Sequence, residues 1–289
     1  MKFALFRCCV TSVFLKQYES STDAVLARLG VGLVDVPEFN CCGYPLKNYN
    51  FKAYVLSSAR NLCLAEERNL NILTLCNCCY GSLKHVDHLM KEDASIRHEM
   101  NTVLKKEGLR YDGSIEVRHA LEFLHRDIGI DKIKQKVVKT FNDVKIATHY
   151  GCHILRPREI VQFDNPEEPS IFDQLVEVTG AESVDWPSKV KCCGAPVWGV
   201  NDDLSMDLIE NKITDARQSG AEYLCVSCAY CQLQFDRVQR MLREKRDKTD
   251  GIPSIIYLQL LGLSLGVDAE ALGINQNELD VSGIMGSLS

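Results

Sequence analysis

Several features are missing from this sequence, and each absence removes a class of function. No apolar run is long enough to cross a bilayer, which takes roughly 20 residues. The most hydrophobic stretch, Ile252 to Val267, is interrupted by Pro253, Gln259 and Gly262. There is no excess of basic charge: 33 Lys and Arg face 39 Asp and Glu, a net charge of −6. A nucleic-acid surface needs a clustered positive field, so none is expected. The one basic run, Arg243 to Lys248, reads as a solvated helix end. No Gly-x-Gly-x-x-Gly occurs, so a flavin or dinucleotide is not expected in this chain. The opening MKFALFRCCVTSVF lacks the layout of an export signal, because Arg7 cuts its apolar part and no small-residue cleavage site follows. It reads as a first buried strand.

What the sequence has instead is cysteine, 14 in 289 residues. In a small secreted domain that count would mean disulfides. Here the chain is long and 46% hydrophobic, enough for a real core, and carries no export signal. Cysteine clusters in such a chain point to metal in a reducing, cytoplasmic setting.

The cysteines recur in order. Lys2-Phe3-Ala4 leads to Cys9, and Lys145-Ile146-Ala147 leads to Cys152 at the same distance. A helical stretch then ends in Gly30 or Gly180. Leu33-Val34-Asp35-Val36-Pro37 precedes Cys41-Cys42-Gly43, as Ser183-Val184-Asp185-Trp186-Pro187 precedes Cys192-Cys193-Gly194. An amphipathic helix and a short apolar strand lead to Cys76-x-x-Cys79 or Cys228-x-x-Cys231. The chain is therefore read as a duplication, residues 1–143 and 144–289, with extra charged helix between Gly81 and Leu109 of the first copy.

Each copy alternates short apolar runs, such as Phe3–Phe6, Leu33–Val36 and Ile72–Leu75, with helical stretches. One helix is expected over Asp23–Leu29, capped by Ser21 or Thr22 and stopped by Gly30. Such alternation gives an α/β fold: two pseudo-two-fold-related repeats, each a small parallel sheet flanked by helices. Ligands gather beyond the carboxyl ends of parallel strands, and Cys9, Cys76, Cys152 and Cys228 all follow predicted strands.

The constellation is Cys9-x31-Cys41-Cys42-Gly43-x32-Cys76-x2-Cys79 and Cys152-x39-Cys192-Cys193-Gly194-x33-Cys228-x2-Cys231. Five thiols exceed the four ligands of a structural zinc. Neighbouring side chains of a Cys-Cys pair diverge, so they suit different irons of one cluster, and all-thiolate ligation suits iron–sulfur chemistry. Cys8, Cys63 and Cys225 have no counterpart in the other copy and read as buried apolar residues. Cys78 lies between ligand candidates. His149 and His153 flank Cys152, and either could be an ordinary strand-end histidine. His153 directly follows a ligand candidate and is the candidate catalytic proton carrier.

The tandem pattern resembles the CCG-domain family, and within it the B subunits of heterodisulfide reductases. The likeness covers nearly the whole chain, including Cys76-Asn-Cys-Cys-Tyr-Gly-Ser-Leu83, His149-Tyr-Gly-Cys-His153 and Cys231-Gln-Leu-Gln-Phe-Asp236. The resemblance implies two noncubane [4Fe–4S] clusters. One is held by Cys9, Cys41, Cys42, Cys76 and Cys79, the other by Cys152, Cys192, Cys193, Cys228 and Cys231. It implies cleavage of a disulfide between them, with electrons arriving through a small cubane-cluster subunit fed by a flavin subunit. After the second doublet this chain reads Gly194-Ala-Pro-Val-Trp-Gly199, where methanogen members have a glycine-rich stretch. That resembles a reductase-like branch, so the implied substrate is the heterodisulfide or a related small or protein disulfide. Two alternatives stand beside this reading. One is a non-catalytic electron relay, as in lactate- or glycolate-oxidising complexes. The other is a metal-free thiol–disulfide oxidoreductase using Cys76 and Cys79, which leaves both doublets without a role.

Overall fold

The computed structural model describes residues 1–246 and 251–289. The basic run singled out above lies partly outside them, at Asp247 and Lys248. Its described part closes the helix Gln239–Lys245 and is ion-paired. Lys245 meets Asp203 at 2.7 Å, and Arg246 meets Asp207 at 2.7 Å and also Glu210. These cations are committed to a neighbouring helix rather than spread as a patch.

Strands β1 (Lys2–Phe6), β2 (Gly32–Asp35), β3 (Asn71–Thr74) and β4 (Val117–His119) form one sheet in the order β2-β1-β3-β4. Strands β5 (Lys145–His149), β6 (Glu182–Val184), β7 (Tyr223–Val226) and β8 (Ser254–Ile256) form a second in the order β6-β5-β7-β8. Every pairing of these strands is parallel, and the two registers match. Ala4 lies opposite Val34 and Ile72, and Ala147 lies opposite Val184 and Leu224. In β1 and β5 an exposed lysine is followed by four buried residues. A parallel strand covered on both faces reads as a continuous apolar run for this reason. The opening segment is thus an inner strand, and the α/β duplication expected from the sequence is the architecture found.

The helices used below are α1 (Lys16–Leu29), α2 (Phe51–Glu66), α3 (Asn77–Glu92), α4 (Ala94–Leu104), α5 (Asp202–Gln218), α6 (Ala229–Leu233) and α7 (Tyr257–Ser264). Asn50 caps α2 by accepting from the Ala53 N–H at 3.0 Å, and Asn201 caps α5 by accepting from Leu204 at 3.1 Å. The extra helix of the first copy is completed by α4, which starts at the Asp93 cap.

The expected start of α1 is wrong. The helix begins at Lys16, and Ser21 and Thr22 are buried inside it. Their hydroxyls donate back to the Tyr18 carbonyl at 3.3 and 2.5 Å. A serine or threonine hydroxyl can cap a helix or bond back one turn, and local sequence does not separate the two. Gly30 ends α1 as expected, its N–H bonded to the Ala27 and Leu26 carbonyls.

The two repeats lock together through α1 and α7. Gly262 on α7 allows the approach: a Cβ there would fall 2.3 Å from one Leu272 methyl, 2.9 Å from the other and 3.0 Å from Val25 of α1. Leu272 and Val25 are fully buried and cannot swing away. Gly262→Ala therefore destabilises the chain by about 1–3 kcal/mol through overpacking, to be read as a lower denaturant midpoint with unchanged slope.

Candidate metal centres at the strand ends

Each sheet delivers its cysteines beyond the carboxyl ends of three strands. In the first, Cys9 follows β1, the Cys41-Cys42 doublet follows β2 and Cys76 follows β3. In the second, Cys152, the Cys192-Cys193 doublet and Cys228 follow β5, β6 and β7. The strand order reverses between β1 and β3 and between β5 and β7, and such a switch point opens a crevice at the sheet end.

The glycine after each doublet is a structural necessity. Gly43 has φ 82° and Gly194 φ 87°, a left-handed conformation in which glycine alone is unstrained. A Cβ on Gly43 would also sit 3.0 Å from the Tyr54 carbonyl oxygen, and one on Gly194 would sit 3.2 Å from Leu208. The doublets thus lie directly against α2 and α5. In the first repeat Ser57 donates to the Cys41 carbonyl at 2.6 Å and Ser58 to the Cys42 carbonyl at 2.5 Å. In the second, Ser205 donates to the Gly194 carbonyl at 3.1 Å and itself accepts from Gln234 at 2.7 Å.

Cys76 and Cys228 stand in extended conformation at the caps of α3 and α6, with Cys79 and Cys231 one turn inside. Thiol–thiol interactions then run in the same order through both repeats. In the first, Cys9 meets Cys41, Cys41 meets Cys42, Cys42 meets Cys79 and Cys79 meets Cys76. In the second, Cys152 meets Cys192, Cys192 meets Cys193, Cys193 meets Cys231 and Cys231 meets Cys228. The Cys9 and Cys41 sulfurs are 3.9 Å apart. The two series touch at their ends, with the Cys76 and Cys228 sulfurs 3.9 Å apart. Equivalent residues meeting one another is what a two-fold relation between repeats requires.

The Tyr18 hydroxyl is buried at this junction. It lies 2.9 Å from the Leu75 carbonyl and also reaches the Ser227 carbonyl, the residues just before Cys76 and Cys228. Asn77 adds a second tie across the repeats, donating to the Tyr150 carbonyl at 2.5 Å.

Two cysteines outside the repeated pattern join the cluster. Cys8 is buried with Cys76 and Cys79, and Cys78 with Cys76 and Cys228, the sulfurs of each trio within 4.8 Å of one another. Reading Cys8 as a bare core residue is thereby corrected. It follows β1 by only two residues, so the strand end carries it into the rim whether or not the other repeat has a partner for it. Cys63 and Cys225 stand apart: burial alone pushes Cys225 up, and burial above all pushes Cys63 up to about 12.

The histidines separate cleanly. His149 is fully buried and donates from Nε2 to the Lys191 carbonyl at 3.2 Å. Burial holds its pKa well below the usual range, so it is a neutral core group. The His153 Nδ1 is 3.1 Å from the Cys152 sulfur and 3.8 Å from that of Cys78, which belongs to the other repeat. Tyr44, just past the first doublet, sets its ring edge-on to His153 at 4.8 Å. Burial draws the His153 pKa down.

The donors fit an iron–sulfur group. Both close-packed trios consist only of soft thiols, and each repeat lines up five in a series of neighbouring pairs, more than one tetrahedral zinc takes. Within each doublet the first thiol is held far below the ordinary range, to about 2. Hydrogen bonds from Cys42 and then Cys9 do this for Cys41, and from Cys152 and then Cys193 for Cys192. Metal ligation requires that ionised form. Cys9 and Cys41 also line a surface cleft of about 360 Å³ together with Arg7, Ser12, Asp35 and Asn40.

The cysteine-rich domain model CCG matches residues 3–84 and again 146–236. The chain belongs to the CCG cysteine-rich domain family. The B subunit of a ferredoxin/F420H2-dependent CoB-CoM heterodisulfide reductase of Methanosarcina acetivorans is 38% identical, over 96% of this chain and 94% of its own. An 8-methylmenaquinol:fumarate reductase membrane anchor subunit of Wolinella succinogenes is 30% identical, over 97% of this chain and 98% of its own. Among the described residues, this CCG protein has no helix long and apolar enough to cross a membrane. A hypothetical protein of Helicobacter pylori shares the fold, with a TM-score of 0.78 at 16% identity; the match covers 97% of this chain and 52% of that longer one.

In the metal-free CCG protein, Cys41 and Cys192 are expected to react first with iodoacetamide. Their pKa values lie far below the assay range, so the rate should stay nearly flat from pH 6 to 8. An ordinary thiol of pKa near 8.5 would gain several tens of fold over that range. Cys63 and Cys225 should react only after unfolding. Peptide mapping by mass spectrometry reads all four positions at once.

Proposed function

We propose that this chain is the disulfide-reducing subunit of a multi-subunit redox complex, with one noncubane [4Fe–4S] cluster in each CCG domain. The observation that carries the reading is the pair of matching five-thiol series that meet at Cys76 and Cys228. Cys9, Cys41, Cys42, Cys76 and Cys79 would hold the first cluster, and Cys152, Cys192, Cys193, Cys228 and Cys231 the second. When bound, the clusters supply single electrons and irons able to take a thiolate sulfur.

Cleaving a disulfide to two thiols takes two electrons and two protons. Two facing centres provide one place for each sulfur. His153 is the group suited to carry a proton there, because its imidazole touches Cys152 of its own repeat and Cys78 of the other. Burial, by lowering its pKa, makes the protonated form the stronger acid. Tyr44 and Tyr230, with ring centroids 6.4 Å apart, wall the same side. The substrate class is a CoB-CoM heterodisulfide, as in the name of the Methanosarcina relative, or a related disulfide. Electrons would come from a small subunit with cubane clusters and, behind it, a flavin subunit, within a cytoplasmic assembly. A second reading, a relay without substrate, draws on the Wolinella relative, whose name places it in a quinol:fumarate reductase.

Purified without oxygen, the chain should hold about eight irons, four per cluster, and Cys79→Ser or Cys231→Ser should each remove about half. Stoichiometric zinc without iron overturns the reading. With the co-purifying subunits attached, turnover should be found with at least one of several small disulfides. His153→Gln should keep its iron and lose about a hundredfold or more in that turnover, the range for a lost proton donor. Full iron with no disulfide turnover in the wild type favours the relay.

A further inference from the structure

The two repeats are alike in their five ordered thiols and unlike in the charge behind them. Asn61 stands on α2 at the same distance from its cap, Asn50, as Lys212 stands on α5 from Asn201. The doublet glycines confirm the correspondence: Gly43 meets Ser57 of α2 and Gly194 meets Leu208 of α5, at the same offset. Asn61 and Lys212 serve the same backbone. Asn61 donates from Nδ2 to the Asn40 carbonyl at 3.1 Å, just before Cys41. Lys212 donates from Nζ to the Lys191 carbonyl at 3.0 Å, just before Cys192, and to the Ser188 carbonyl at 2.8 Å. A neutral amide in the first repeat is thus an ammonium in the second.

That ammonium is not neutralised by a carboxylate. Lys212 is 3% exposed, and among the described residues no acidic side chain pairs with it. Its amine lies 5.6 Å from the Trp186 ring centre; burial above all draws its pKa down to about 8, and the groups that favour its charge are the thiols of Cys193, Cys231 and Cys192. The cations near the first doublet differ. Arg7 pairs with Asp35 at 3.0 Å and Arg60 with Glu107 at 2.8 Å, all four partly open to solvent. Lys47 is half-buried, its amine over the Tyr54 ring. Paired and solvated charges are screened, whereas a buried one acts at nearly full strength.

Adding an electron to a cluster adds a negative charge, and cluster potentials follow net charge and hydrogen bonding around the sulfurs. We propose that Lys212 makes the second centre the easier of the two to reduce, so that the site of Cys152, Cys192, Cys193, Cys228 and Cys231 takes the first electron. This rests on the iron–sulfur reading above. The asymmetry gives direction to a duplicated site: its two five-thiol series are matched, and the charge beneath one doublet decides which half is reduced first.

The test is an anaerobic potentiometric titration of the reconstituted full-length chain, followed by electron paramagnetic resonance and visible absorbance. Two one-electron waves are expected. Cys231→Ser should remove the upper wave and Cys79→Ser the lower. Lys212→Gln, which keeps a donor and removes the charge, should weaken reduction at the upper wave by about tenfold or more, with about 59 mV for each tenfold in a one-electron couple. Lys212→Arg should leave that wave near its wild-type position, and Asn61→Lys should raise the lower one. Loss of the upper wave in Cys79→Ser overturns the inference even where the Lys212 variants fail to assemble. So do two iron-dependent waves that ignore Lys212→Gln or shift together. A chain that binds no iron overturns the iron–sulfur reading, and this inference with it.

Discussion

The contact on which this molecule depends is the junction where Cys76 and Cys228 come within 3.9 Å. One buried phenol, that of Tyr18, ties it by reaching the carbonyls just before both cysteines. Tyr18 belongs to α1, and α1 is the helix that α7 of the other repeat packs against through Gly262. The interface between repeats and the centre of the thiol array are therefore one structure. Two repeats that did not dock would leave two isolated cysteine rims. Joined here, the rims form one continuous series of thiols, most of them buried.

Within each rim the backbone does the arranging. A left-handed glycine turns the chain after the doublet and lets it lie against the following helix, where serine hydroxyls, Asn61 or Lys212 hold its carbonyls. The doublet thiols then polarise one another, the first drawn down in pKa and the second pushed up by the hydrogen bond between them. Burial raises the cost of charge, so each ionised sulfur depends on its neighbours' hydrogen bonds. This coupling is why five thiols in a fixed order form a site, whereas Cys63 and Cys225, fully buried and alone, do not.

Much of this is legible in order and spacing. Parallel strands buried on both faces show as apolar runs, and the residue after such a run must lie at the sheet end. That reasoning alone places Cys9, Cys76, Cys152 and Cys228 at one rim of each sheet. The left-handed turn after each doublet is signalled by its glycine. Local ambiguity hides other features. Ser21 and Thr22 look like caps because their hydroxyls suit a helix start, yet they bond back to Tyr18 in mid-helix. Cys8 lacks a counterpart in the second repeat, and its nearness to a strand end is the better guide to its place.

The repeat, the α/β class and the ten matched cysteines follow from the amino-acid order, because each depends on chain spacing and on periodicities of two and 3.6 residues. Which groups face each other across the repeats is a matter of three-dimensional packing. Cys78 with His153, Cys76 with Cys228, and Tyr18 between two carbonyls are pairings distant in sequence, set by how two sheets dock. The same holds for the charge behind the doublets. Lys212 is one ordinary lysine on a helix until burial beneath the second doublet, without a carboxylate partner among the described residues, separates it from Asn61 in the first.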